Sequence, residues 1–229
     1  MIAVIGDIHG CFFTLNELVK KVRLKYPGIQ LYSVGDLVDR GNFSFEVIEF
    51  IQAENIIFTA GNHDYMFLYF FNYPKNQLGK SWIFNGADQT ILSYKNRLHK
   101  IPDHLKLIAR APLFLNLDDC FISHAGISSN FKSFFSSGVL SDIDYLEEFV
   151  NRTLESPSGI LWSRESLLNI GKLQIVGHTR REEIYFDEQS NSVYIDTSAV
   201  GKIKLSAVIV DNNKVIDSIS VPTFSEDVD

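Results

Sequence analysis

The feature that most constrains this chain is Ser33-Val34-Gly35-Asp36-Leu37-Val38-Asp39-Arg40-Gly41, a charged turn placed directly after an apolar run. Gln30 to Val34 reads as a buried strand that stops at Gly35, and Gly35 and Gly41 suit sharp bends or close approaches of backbone. A structural turn needs one Asp and one Gly. It has no use for two carboxylates and a guanidinium together. Gly6-Asp7-Ile8-His9-Gly10, Gly61-Asn62-His63-Asp64 and Gly177-His178 repeat the design, each a glycine-led polar turn after an apolar run. A metal centre assembled at strand ends accounts for all four.

The order of elements supports that placement. Ile2 to Ile5 reads as a strand, followed by a helix with Thr14 and Glu17 as a capping box and Leu15, Leu18, Val19 and Val22 on its apolar face. Pro27-Gly28 ends it. A second helix is predicted over Phe43 to Ala53 and a third strand over Ile56 to Ala60. This alternation points to a parallel α/β layer, where ligands gather beyond the carboxyl ends of strands. Tyr65 to Arg110 reads as mostly helical, and a further helix is predicted around Ser141 to Asn151. Short strands are predicted at Leu113–Leu117, Cys120–Ser123, Leu173–Val176, Glu183–Asp187, Ser192–Asp196, Leu205–Val210 and Lys214–Ser220, with a hairpin turn at Asp211-Asn212-Asn213. The expected fold is a sandwich with its parallel sheet early, antiparallel strands late and helices outside.

With 229 residues, 45% of them hydrophobic, the chain is long enough for a sizeable core, and no linker or repeat divides it. A single domain over 1–229 is expected, with an acidic tail from about 222 that frays. A net charge of -7 gives no footprint for duplex nucleic acid. The N-terminus lacks a signal-peptide pattern, and no apolar run is long enough to span a bilayer. Cys11 and Cys120 have no metal-type spacing and suit a reducing cytoplasm as buried small hydrophobes. A monomer is the expected state.

Six side chains are candidate ligands: Asp7, His9, Asp36, Asn62, His124 and His178. Nitrogen and oxygen donors without thiolate suit Mn²⁺, Zn²⁺ or iron. Two ions close together share a carboxylate, and Asp36 in the central turn is the candidate bridge. Asp7 and His9 would complete one ion, and Asn62, His124 and His178 the other. Such a cluster keeps net positive charge and attracts anions, which makes a phosphate ester the fitting substrate. Arg40 and Arg164 would grip its oxygens, and His63, held by Asp39, would give the leaving oxygen its proton. His99 and His104 fall outside the motifs and read as surface residues. Arg180-Arg181 reads as an exposed turn, Lys202 and Lys204 as solvated turn ends, and Phe131, Phe134 and Phe135 as packing.

Together, residues 6–10, 35–41, 61–64, His124-Ala125-Gly126 and Gly177-His178-Thr179 resemble the ordered motifs of the calcineurin-like metallophosphoesterases. The Asp39-Arg40-Gly41 ending is similar to the phosphoprotein phosphatase family. Residues 82–86, 161–165 and 194–197 further resemble its bacteriophage lambda-type and bacterial members. The resemblance implies a four-layer α/β/β/α sandwich of two mixed sheets, a dinuclear centre usually active with Mn²⁺, and hydrolysis of phosphoserine, phosphothreonine and often phosphotyrosine in proteins. It puts ligands, acid pair and arginines on the residues chosen above. Asp64 departs from the Glu usual in protein phosphatases and is common in the dinucleoside tetraphosphatase branch. Ser198 and Arg180 replace a usual Gly and a frequent Pro. The expected activity is thus a serine/threonine protein phosphatase. A symmetrical dinucleoside tetraphosphatase is the alternative, and a catalytically silent metal-binding module the reading from a different class.

Overall fold

The computed structural model describes residues 1–229. Strands β1 (Ile2–Ile5), β2 (Gln30–Ser33) and β3 (Ile57–Phe58) alternate with helices α1 (Phe12–Lys25) and α2 (Ser44–Ala53). Next come helices α3 (Asn62–Asn72), α4 (Gln77–Ser81), α5 (Ala87–Ser93) and α6 (Ile101–Arg110). Strands β4 (Phe114–Asn116) and β5 (Phe121–Ser123), helix α7 (Ile143–Arg152) and strands β6 (Gln174–Val176), β7 (Tyr185–Asp187), β8 (Ser192–Tyr194), β9 (Lys204–Asp211) and β10 (Lys214–Pro222) complete the fold. No helix is long and apolar enough to cross a membrane.

Two five-stranded sheets form, in the orders β10-β9-β1-β2-β3 and β4-β5-β6-β8-β7. Both are mixed. In the first, β1, β2 and β3 run parallel while β9 pairs antiparallel with β1. In the second, β5, β6 and β8 are parallel and β4 and β7 are antiparallel edges. The two mixed sheets are as expected, with β1–β3 parallel and β7, β9 and β10 antiparallel, but β5, β6 and β8 form a second parallel run later in the chain than expected. The long β9–β10 hairpin closes the edge of β1, so chain order does not sort the strands by direction.

Residue alternation builds the layers. Along β1, Ala3 and Ile5 join a core with α1, α2 and α3, whereas Ile2 and Val4 face the second sheet. Val208 and Val210 of β9 meet Ile122, Ile175 and Val193 in that inter-sheet core, and Phe121 turns the other way toward α7. The result is helices, sheet, sheet, helices. Phe131, Phe134 and Phe135 close around Phe149 of α7 at ring-centroid separations of 4.9, 5.2 and 4.9 Å, which makes them packing residues. Cys11 and Cys120 are both free and buried.

Three expectations fail here. His104 is buried rather than superficial, with Nδ1 2.6 Å from Tyr94 Oη and Nε2 2.8 Å from Glu49, and burial lowers its pKa. It sits on the α6 face carrying Ile101, Leu105 and Ile108. The C-terminal tail is not frayed either. Thr14 and Glu17 do not cap α1, which begins at Phe12 without a local side-chain cap. Asp227 caps it instead, accepting Phe13 N and Thr14 N at 2.9 Å each and Thr14 Oγ1 at 2.6 Å. Its carbonyl accepts Asn42 N at 2.8 Å, so the tail ties the start of α1 to the loop after Gly41. Asp227→Ala should cost about 2–3 kcal/mol, since three charge-assisted bonds to buried donors go at once. Thermal melts check this against Glu226→Ala, an exposed neighbour: equal melting temperatures would return the tail to a passive role.

Candidate metal centre

Each polar turn leaves the carboxyl end of a parallel strand. β1 feeds residues 6–10, β2 residues 35–41, β3 the start of α3, β5 His124, and β6 Gly177-His178. The turns are strained in one sense: His9, Asp36, Asp39, Arg40 and His178 all hold positive φ, between 46° and 74°. Glycine is required where the loops meet. A Cβ on Gly61 would lie 2.1 Å from Asp36 Oδ1, and one on Gly177 would lie 1.9 Å from Asp7 Oδ1.

All six candidate ligands are brought together, and all are buried. Asp36 is central. Its Oδ1 accepts His63 N at 2.9 Å, and its Oδ2 lies 3.4 Å from His9 Nε2 and 3.5 Å from His124 Nε2. Donor atoms of His9, Asp36 and His63 fall within 4.8 Å of one another, as do those of Asp7, Asp36 and His124, so Asp36 belongs to both groups.

The ring tautomers show what this cluster is built for. Backbone carbonyls can only accept, and three of them fix three imidazoles: Val38 O at 2.9 Å from His9 Nδ1, Val34 O at 3.0 Å from His124 Nδ1, and Trp162 O at 3.2 Å from His178 Nε2. Each ring therefore turns a bare nitrogen inward. The bare nitrogens of His124 and His178 stand 3.2 Å apart, and Asn62 Oδ1 lies 2.9 and 3.0 Å from them. Asn62 cannot resolve this clash of lone pairs through that oxygen. A cation can. Burial suppresses the alternative, protonation, lowering His9 and His124 and bringing His178 to about 3 with help from His124 and Arg164. The donor set fits divalent metal ions.

His63 Nδ1 is 2.6 Å from Asp39 Oδ2. The second oxygen of Asp39 accepts Trp82 Nε1 at 2.8 Å and Thr90 Oγ1 at 2.7 Å, so the pair is held from two further elements. Arg40 and Arg164 both line a cavity of about 510 Å³ over the cluster. Arg40 donates to His9 Nε2 at 2.9 Å, and Arg164 to the His178 carbonyl at 3.1 Å.

Several residues escaped sequence reasoning. Arg180 lines the same cavity, and its charge is felt at Arg40. Arg181 instead stacks over Tyr185, 4.8 Å from the ring centre. The pair is an exposed turn as expected, yet half of it belongs to the site. Lys202 and Lys204 do not, being paired with Asp229 and Glu183. Asp64 accepts Gly61 N and Leu37 N at 2.9 Å each, locking two motif loops together. Asp196 is buried beside Asp7 and, after burial itself, is the main influence raising the Asp7 pKa.

Comparison with known proteins adds four likenesses. A family profile described as calcineurin-like phosphoesterase matches residues 1–205. The asymmetrical bis(5'-nucleosyl)-tetraphosphatase PrpE of Anoxybacillus flavithermus is 28% identical over 96% of this chain and 93% of its own length. Serine/threonine-protein phosphatase 1 of Salmonella typhimurium is 28% identical over 90% of each chain. The crystal structure of a cold-active protein-tyrosine phosphatase from a psychrophilic Shewanella superposes with a TM-score of 0.63 at 20% identity, over 97% of this chain and 80% of that one. At that identity the likeness is one of fold.

Proposed function

The chain belongs to the calcineurin-like phosphoesterases, and from that premise we propose that it hydrolyses dinucleoside polyphosphates. The observation that carries this reading is the third arginine. A phosphomonoester needs two cationic grips, but a chain of phosphates needs more, and Arg40, Arg164 and Arg180 line one cavity. The likeness to a tetraphosphatase across nearly the whole chain supports the same substrate class. The sequence alone favoured a protein phosphatase and kept a symmetrical tetraphosphatase as the alternative. Both the cavity and that relative lean toward a tetraphosphatase, although the relative is of the asymmetrical kind.

Asp7, His9 and Asp36 would hold one divalent ion, and Asp36, Asn62, His124 and His178 a second; Mn²⁺ is the expected metal, with Zn²⁺ or iron compatible with the same donors. When bound, the pair supplies Lewis acidity, an acidic water and a clamp on phosphate oxygens. The protein does the rest. Arg40, Arg164 and Arg180 align the phosphate chain and neutralise its charge. His63 hands its ring proton to the leaving oxygen, and Asp39 orients the ring with Trp82 and Thr90 behind it. Asp64 keeps the Asp36 and His63 loops in register.

A second reading, dephosphorylation of phosphoproteins, is favoured by the likeness to the Salmonella phosphatase. The two separate on rates with Mn²⁺ after chelator treatment. Diadenosine tetraphosphate should be cleaved with kcat/KM at least about tenfold above phosphoserine, phosphothreonine and phosphotyrosine peptides, a gap of about 1.4 kcal/mol in transition-state binding. Two ADP, or AMP with ATP, would both support the reading. Faster turnover of the peptides would overturn it in favour of the protein phosphatase.

A further inference from the structure

Next to the metal-centre cavity lies a second one of about 410 Å³, lined by Gln77, Leu78, Glu155, Pro157 and Trp162. Trp162 lines both. We propose that this second cavity is a nucleoside subsite, in which a purine base stacks on Trp162 while its phosphates enter the arginine-lined cavity. The proposal deepens the dinucleotide reading and rests on it for the substrate class.

Three observations carry it. First, Trp162 joins the two spaces directly: the residue lines both cavities, and its backbone carbonyl lies 3.2 Å from Nε2 of His178, a metal-ligand candidate. A base held in the second cavity would therefore have its 5'-phosphates directed toward the first, across the residue that the two share. Second, the indole is fixed and only partly covered, although it packs against two of the hydrophobic cores. Its Nε1 donates to Leu154 O at 3.0 Å and its backbone N to Gly159 O at 2.9 Å, yet the side chain stays only half-buried. An indole with its donor satisfied and part of its surface lining a cavity can serve as a stacking platform, and Leu78 and Pro157 supply apolar walls. Third, the polar groups are few and placed. Asn76 Nδ2 donates to Glu155 Oε1 at 3.1 Å, which orients that carboxylate and leaves Oε2 for an exocyclic amine; Gln77 adds an amide for ring nitrogens. An apolar pocket of this volume with a few convergent polar groups suits a heterocycle, and an unmodified phosphoserine side chain has nothing to put there.

The chain's two tryptophans make the test direct. Trp82 is fully buried against Phe67 and Phe70 and bonded to Asp39, so any emission change that phosphate alone induces there appears with ribose 5-phosphate as well, and the base-dependent part reports on Trp162. The experiment titrates AMP, and separately ribose 5-phosphate, into the Mn²⁺-loaded protein while tryptophan fluorescence is followed. AMP should quench emission saturably, and ribose 5-phosphate, with the same phosphate and no base, should not. Leu78→Glu should raise the half-saturating AMP concentration at least tenfold and Glu155→Ala about fivefold. Trp162→Phe should remove the response. Equal responses to the two ligands, no response to AMP, or unchanged half-saturation in Leu78→Glu would each overturn the subsite. Cleavage of diadenosine tetraphosphate without AMP quenching would remove the subsite and keep the dinucleotide reading. Specific AMP quenching in a protein that dephosphorylates only peptides would do the reverse.

Discussion

Asp36→Asn is expected to lower turnover at least about 10⁴-fold and to leave the protein folded. Asp36 is the one carboxylate that falls in both donor groups, between His9 and His124. An amide there removes the negative charge both ions share and turns either a weaker oxygen or an NH₂ group toward bare imidazole nitrogens. Its Oδ1 bond to His63 N survives with an amide oxygen, so the loop need not collapse. The check combines turnover in Mn²⁺ with melts taken before and after chelation. Wild-type protein should lose several degrees on chelation, because ions bound only by the folded state stabilise it. The variant should melt at one temperature in both. A variant that retains a tenth of wild-type activity, or still responds to chelator, would show that Asp36 bridges nothing.

His63→Asn is expected to lose rate in proportion to how badly the leaving oxygen needs a proton. General acid catalysis by a positioned imidazole is worth about 10²–10⁴-fold, and the full loss should appear on alkyl phosphates such as a phosphoserine peptide. On p-nitrophenyl phosphate, whose phenolate leaves readily, the loss should be about tenfold or less. Dinucleotides, which release a nucleotide phosphate about as acidic as p-nitrophenol, should lose about as little as p-nitrophenyl phosphate. The readout is kcat for all three substrates in one metal buffer. Equal losses would take the acid's role from His63 and make it a structural neighbour of Asp39. Thr90→Val probes the support of that pair: it removes a 2.7 Å bond to Asp39 without touching His63, so it should shift the same ratio in the same direction, only less.

The centre was legible in the sequence because each of its turns is local. A glycine and at least one carboxylate, amide or histidine lie within a few residues of one another after an apolar run, and parallel strands send such turns to one edge of a sheet. What the sequence hid lies far away along the chain. Trp82 and Thr90 reach Asp39 from 43 and 51 residues on, and Asp227 caps a helix more than 200 residues before it. No period or local spacing encodes such contacts. The pairing of β9 with β1 is hidden for the same reason. His104 is different, since its burial could have been read. Ile101, His104, Leu105 and Ile108 follow the i, i+3, i+4, i+7 spacing of a core-facing stripe, and the polarity of the residue masked the pattern. Arg180 shows the opposite error: an exposed turn and a site residue are compatible when the turn forms the rim of a cavity.

The two-ion centre is the claim on which turnover, the acid's role and the phosphate grip all depend. Its most direct test is metal content after chelation, reconstitution with excess Mn²⁺ and removal of free ion, measured by elemental analysis against protein concentration. The lone pairs gathered at His9, Asp36, Asn62, His124 and His178 predict two Mn²⁺ per chain. A single tightly held ion, or none, would contradict the account.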